Sequence, residues 1–146
     1  MSELGLDAHV TIGLAEDMGE HYHRARVFVL PSPPKPGGLP SEGAPTVLME
    51  AMSHATAVAA ARQPGTEEVV GSVGALVDDL SAGGWADALE PFLADPGMAD
   101  RVGQEGRTRA VERFSMSHTV AQLGARYEEL AARGRLPRRR GVVQGP

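Results

Sequence analysis

Val27-Phe28-Val29-Leu30-Pro31 is a run of four apolar residues closed by proline. An apolar run without alternation is what a parallel strand buried on both faces requires, and proline ends it because it has no N–H for a ladder. Upstream, the polar residues 16–25 predict a helix. Before them His9-Val10-Thr11-Ile12-Gly13, β-branched and ended by glycine, predicts a strand. Downstream, the Pro- and Gly-rich residues 31–41 predict a loop. Pro45 suits the first position of a helix, where its missing N–H has no intrahelical partner to lose. Val47, Leu48, Ala51 and Met52 form the buried face of that helix. Ala57 to Ala61 predict another strand, Pro64-Gly65 a turn, Thr66 the cap of a short helix through Val70, and Gly74-Ala75-Leu76-Val77 a last strand. Alternation of strand and helix through residue 78 predicts an α/β fold with a mostly parallel sheet of about four short strands.

The remainder reads as C-terminal helices. Trp85, Ala88, Leu89 and Phe92 recur at helical spacing, closed by Asp95-Pro96-Gly97. Residues 98–113 give a second helix. Ser115 or Ser117 caps a third, striped by Val120, Leu123, Tyr127 and Leu130. At this spacing Trp85, Phe92 and Tyr127 read as core.

Composition limits the possibilities. The 146 residues suit one domain, and 42% hydrophobic content allows a core. No cysteine is present, which excludes disulfides, zinc–thiolate sites and thiol catalysis. No apolar run reaches the roughly 18 residues of a membrane helix. Met1-Ser2-Glu3-Leu4 has neither the basic nor the apolar region of a signal peptide, so a cytoplasmic protein is expected. Charge is unevenly placed. Residues 1–132 hold all 19 acidic side chains against nine basic ones, a charge of −10. Arg133, Arg135, Arg138, Arg139 and Arg140 follow with no acid, a charge of +5. An acidic body with six aromatic side chains is a poor nucleic-acid binder. The chain thus divides into a domain over 1–132 and a basic, disordered tail over 133–146. Two readings of Arg138, Arg139 and Arg140 stand: solvated tail, or weak peripheral attraction to anionic lipid at the inner membrane face, worth roughly 1 kcal/mol per arginine near such a surface.

The segment richest in chemistry is Glu42-Gly43-Ala44-Pro45-Thr46-Val47-Leu48-Met49-Glu50, which joins the loop after a buried strand to a helix N-terminus. Open parallel sheets bind ligands at the carboxyl ends of their strands, and a helix N-terminus offers N–H groups and positive dipole to phosphate. The amides of Gly43, Ala44 and Thr46 can cradle a diphosphate, with Gly43 allowing close backbone approach. Glu42 and Glu50 are carboxylate acceptors suited to paired sugar hydroxyls. The plainer reading keeps its place: acids near a helix start complement its dipole, and such a glutamate is simply solvated.

Taken in order, several pieces between Leu4 and about Leu130 resemble the nucleotide-sugar half of a GT-B retaining glycosyltransferase of the family 4 group. They are Leu4-Gly5-Leu6, Val10-Thr11-Ile12-Gly13, Ala25-Arg26-Val27-Phe28-Val29-Leu30-Pro31-Ser32, the glutamate pair Glu42 and Glu50, Pro64-Gly65-Thr66-Glu67-Glu68-Val69-Val70, Gly74-Ala75-Leu76-Val77 and Arg113-Phe114-Ser115. The resemblance implies a partial Rossmann-like sheet ordered 3-2-1-4-5-6, of which this chain carries the third to sixth strands, leaving an uncovered edge on strand 27–30 and residues 1–25 the least securely packed or rearranged. It implies that Glu42 contacts the donor sugar near the anomeric centre and is the catalytic candidate, and that Glu50 binds ribose hydroxyls. Gly43, Ala44, Pro45 and Thr46 then meet sugar and phosphates, while Gly13, Leu14 and Ala15 lie beside the base. It implies transfer from a nucleoside-diphosphate sugar to an acceptor hydroxyl, in polysaccharide or glycolipid assembly, with no metal and no cofactor.

The same resemblance places a basic pair that grips the diphosphate, and an acceptor domain, upstream of these residues. Three readings follow: an N-terminally truncated enzyme, inactive alone; a donor-binding subunit whose partner is a separate acceptor-domain chain; or a non-functional frame. Departures are also plain. Ala55 and Ala57 stand where the family has Gly and Pro, so the turn is unstrained only if φ is negative at Ala55. His21 and His23 lie at i and i+2 and face different ways on a helix, the spacing of surface residues more than of metal ligands. His54 reads as a helix-end residue, and Asp79 or Asp78 as the cap of the next turn.

Overall fold

The computed structural model describes residues 4–133; the tail arginines Arg138, Arg139 and Arg140 lie outside the described residues. Helix α1 (Met18–Arg24) leads into β1 (Val27–Leu30), followed by α2 (Thr46–Ser53), β2 (Ala57–Ala61), α3 (Pro64–Val70) and β3 (Ala75–Val77). Helices α4 (Ala82–Ala94), α5 (Pro96–Phe114) and α6 (Met116–Ala132) complete it. The three strands form one parallel sheet in the order β1-β2-β3, with Val27 opposite Ala57 and Ala59 opposite Ala75. That is the order of the last three strands in the expected 3-2-1-4-5-6 sheet.

The strand expected at 9–13 does not form, so three strands are present among the described residues in place of about four. The reason is physical. Backbone N–H and C=O groups of a strand must be paired, and among the described residues no partner strand lies beside this segment. Residues 9–13 are accordingly exposed, Ile12 at 83%.

The core sits on both faces of β2, whose five residues are all buried. Val58 and Ala60 join Leu48, Ala51, Met52, Val69, Val70, Ala110 and Tyr22 on one face; Ala57 joins Phe92 and Ala99 on the other. This is the two-residue alternation of a strand covered on both sides. Each fully buried large side chain, such as Leu48 or Val69, contributes about 1.5–3 kcal/mol. β1 is only half-buried, because it is an edge strand of the sheet formed by the described residues.

Small residues let the helices approach closely. The buried face of α5 is Ala99, Gly103, Gly106 and Ala110, and a Cβ on Gly103 would lie 2.0 Å from the Ala55 carbonyl oxygen. The turn this helix presses on is strained: Ala55 has φ of +60°, in the left-handed region, so the negative φ that would leave alanine unstrained there is not met.

Four local expectations are corrected. Val47 is exposed while Leu48, Ala51 and Met52 are buried, so the α2 face is narrower than read. Pro45 is the N-cap of α2, one position before the first turn. Pro64-Gly65 opens α3, and the cap is Gln63, with Thr66 its partner in a reciprocal capping box. Tyr127 is 61% exposed and α6 buries no residue, so its stripe is a face left open among the described residues. A helical stripe states that a face is apolar, not that something covers it. Phe92 is buried and Trp85 half-buried, and Ser115 caps α6 by accepting from the His118 N–H.

Candidate functional site

The carboxyl ends of β1 and β2 carry the loop that leads to α2. Its base is tied by one buried side chain. Gln63 Oε1 accepts from the Ser41 N–H at 2.7 Å and from Ser41 Oγ at 3.1 Å, while its Nε2 donates to the Ser32 carbonyl at 2.8 Å. Both ends of the Pro/Gly-rich excursion are thus held at the first residue after β2 and Arg62. Inside the excursion Lys35 and Leu39 form a single antiparallel bridge.

Glu42 follows directly and is half-buried; Gly43, Ala44 and Thr46 are exposed and Pro45 is buried. The backbone of Glu42 and Gly43 lies hard against the first turn of α3. A Cβ placed on Gly65 would fall 1.4 Å from the Gly43 carbonyl oxygen and 2.9 Å from that of Glu42. Only glycine at 65 allows the loop this position.

Glu50 sits in the second turn of α2 with its side chain toward α1. The Tyr22 hydroxyl donates to Glu50 Oε2 at 3.3 Å. Tyr22 is itself buried, edge-on to Phe28 at 5.5 Å between centroids and tilted against His54 at 5.6 Å. Thr56 Oγ1 donates to the Tyr22 carbonyl at 2.8 Å, fixing the last turn of α1 to the start of β2. Burial raises the Tyr22 phenol above its ordinary value, and the neighbouring Glu50 carboxylate raises it further. The two glutamates are therefore held from different sides, Glu42 by its backbone against α3 and Glu50 by its side chain against α1.

Gly13 and Leu14 are exposed and, with Thr11, Ala15, Met18 and His21, line a cavity of about 370 Å³. The structure thus joins the 13–15 loop to α1, the helix that also carries Tyr22. A separate cleft of about 310 Å³ lies at the amino ends of β1 and β2, between Arg24, Arg26, His54 and Asp100, away from the loop of Glu42.

Three residues of the region escaped the sequence reading. Gln63 was hidden because its capping box runs Gln-x-x-Thr, the reverse of the usual order. Tyr22 stands between two histidines, and no local pattern marks it. Arg62 stands immediately after β2, a position that could have drawn notice because ligands gather at strand carboxyl ends. Its guanidinium pairs with Glu67 at 2.9 Å and Asp78 at 2.7 Å, and these hydrogen bonds, that to Glu67 foremost, raise its pKa. Asp79 accepts from the Ser81 N–H, which caps the turn as expected and lowers its pKa. His23 Nε2 and His54 Nδ1 lie 3.3 Å apart, and His54 is the C-cap of α2.

Residues 2–95 match the family described as glycosyl transferases group 1. A GDP-mannose-dependent alpha-(1-6)-phosphatidylinositol monomannoside mannosyltransferase of Mycolicibacterium smegmatis is 34% identical over 127 residues, covering 84% of this chain and 33% of that enzyme. An alpha-maltose-1-phosphate synthase of Mycobacterium tuberculosis is 37% identical over 131 residues, covering 84% of this chain and 31% of that enzyme. Among solved structures, a sucrose-phosphate synthase from Thermosynechococcus elongatus superposes with a TM-score of 0.74 at 32% identity, over 90% of this chain and 33% of that one. The chain spans about a third of the length of these relatives. No helix among the described residues is long and apolar enough to cross a membrane.

Proposed function

This chain belongs to the group 1 glycosyl transferases, and we propose that it is the donor-binding part of a retaining enzyme of the GT-B, family 4 type. The reaction moves a sugar from a nucleoside-diphosphate sugar to an acceptor hydroxyl. The observation that carries this reading is the pair Glu42 and Glu50, set across the junction of loop and helix after β1, the Glu42 loop lying against α3 and the Glu50 side chain bonded from α1. One relative is named as a GDP-mannose-dependent mannosyltransferase, which supports the donor class.

In this reading Glu50 accepts the ribose hydroxyls and Glu42 meets the sugar near the anomeric carbon. The backbone of Gly43, Ala44 and Thr46 receives the phosphates, Pro45 shapes the turn, and Gly13 and Leu14 border the base. Stabilising the diphosphate as it leaves is the electrostatic demand of the step. A body of net charge −10 over residues 1–132 meets that demand poorly. The basic pair and the acceptor site are therefore assigned to polypeptide beyond this sequence, in the same protein or in a partner subunit. The chain on its own binds donor without turning it over, and neither metal nor organic cofactor enters the scheme.

Titration of the 146-residue chain with GDP, UDP and ADP, followed by ligand-observed NMR, tests the reading. One nucleotide is expected to bind, and Glu50→Ala to weaken it roughly ten- to hundredfold, the worth of a charged hydrogen-bonding pair. Binding by none, or equal binding by the variant, overturns it; glycosyl transfer by the chain alone overturns the division of labour.

A further inference from the structure

Glu50 is an exposed glutamate on an exposed helix face, where a side chain ordinarily samples several rotamers. It differs from its neighbours in one respect: one of its oxygens is bonded to a buried phenol from another helix. That phenol has no freedom of its own. The Tyr22 ring is wedged between Phe28 and His54, and its carbonyl is bonded by Thr56 from the start of β2. A hydroxyl fixed in this way fixes the carboxylate that accepts from it. A carboxylate offers about four lone-pair sites. One bond to Oε2 therefore orients the group and leaves Oε1, and the rest of Oε2, able to accept from two further hydroxyls.

We propose that Tyr22 is the positioning residue for Glu50, holding its carboxylate in the orientation that accepts both hydroxyls of a ribose. The inference rests on the reading of Glu50 given above and adds a residue to it. Tyr22 touches no substrate; it acts through Glu50. Recognition of a vicinal diol needs two acceptor directions at once, so loss of orientation weakens ribose recognition while leaving contacts to phosphate and base as they were. A tyrosine serving only to pack the core would behave otherwise, since phenylalanine fills the same space.

The test compares nucleoside diphosphates with their 2′,3′-dideoxy forms on the 146-residue chain, for wild type, Tyr22→Phe, Glu50→Gln and the double variant. Wild type is expected to prefer the ribo form. Tyr22→Phe is expected to lower affinity for the ribo form about three- to tenfold, the span of a single hydrogen bond, with the dideoxy form unchanged. The double variant should equal Glu50→Gln, because Tyr22 has nothing left to position. Equal loss for both ligands in Tyr22→Phe, or an unchanged ribo-to-dideoxy ratio, overturns the inference while Glu50 keeps its role. An unchanged ratio in Glu50→Gln overturns the Glu50 reading itself, and so does failure of wild type to bind; the inference falls with it in either case.

A ligand-free measurement checks the contact. In Glu50→Gln the ultraviolet-monitored ionisation of Tyr22 should move down from its wild-type midpoint, because the adjacent negative charge is gone. The exposed Tyr127, the other tyrosine of the chain, is replaced in the Tyr127→Phe background so that the signal belongs to Tyr22 alone. No movement of the Tyr22 midpoint means that the two groups are not in contact, which also overturns the inference.

Discussion

Replacing Gly65 with alanine puts one methyl group where the structure has no space. The new Cβ would stand 1.4 Å from the Gly43 carbonyl oxygen, against a floor of 3.0 Å for real contacts. One side must therefore retreat by about 1.6 Å, the difference between those distances, and overpacking of this kind costs about 1–3 kcal/mol. Which side retreats follows from what each would lose. Moving the first turn of α3 breaks the bonds of Gln63 to Ser41 and Ser32 and that of Thr66 Oγ1 to the Ala61 carbonyl, each worth about 0.5–1.5 kcal/mol. Gly43 and Ala44 are exposed, and their retreat strains only the Ser41 contact. The loop moves. Alanine also suits a helix better than glycine by about 1 kcal/mol, so the net loss of stability is about 0–2 kcal/mol. Donor affinity is expected to fall at least about tenfold, since displacement of positioning groups by 1 Å has effects of up to about a hundredfold. Urea denaturation gives the first number and nucleotide titration the second. A folded Gly65→Ala chain with undiminished nucleotide binding would falsify the placement of the donor against residues 42–44. A stability loss above about 3 kcal/mol would show instead that α3 yields before the loop does.

Two further expectations concern the turn between α2 and β2. Ala55 has φ of +60°, a conformation that costs an alanine about 1–2 kcal/mol, so Ala55→Gly should stabilise the chain by about 0.5–1 kcal/mol after the added freedom of the unfolded glycine is subtracted. A lower urea midpoint in that variant would contradict the strain argument. Gly103→Ala drives a Cβ to 2.0 Å from the Ala55 carbonyl oxygen across the α5 interface. It should cost about 3 kcal/mol or more, because neither the buried helix nor the turn can withdraw freely. A thermal midpoint within a degree of wild type would show that α5 does not pack as described.

Legibility from sequence followed the scale of the interaction. β2 at 57–61 and the helices after residue 82 were readable because burial and helical spacing write themselves into neighbouring residues. The run His9–Gly13 misled because β-branched content reports that a segment tolerates extension, not that another strand stands beside it. Val47 and Tyr127 misled likewise, being apolar at the right spacing on helices whose corresponding surfaces face solvent. Within the site, the positions of Glu42 and Glu50 on a loop and a helix were legible as a spaced pair. The groups that hold them were not. Gln63 acts on Ser32 and Ser41, 31 and 22 residues away, and Tyr22 acts on Glu50 across 28. No local pattern encodes such pairs.

By itself the amino-acid sequence determined the α/β class, the parallel character of the sheet, the loop-to-helix junction of Glu42 to Glu50, and the acidic balance of residues 1–132. These depend on apolar periodicity, on proline and glycine, and on charge, all properties of residues near one another in the chain. Tertiary structure alone decided that residues 9–13 stay out of the sheet, that glycine is required at 65, that Ala55 bears a left-handed backbone, and that Glu50 is held by Tyr22. Each of these turns on distances of a few ångströms between segments far apart in sequence. Such distances exist only once the helices have closed on the sheet.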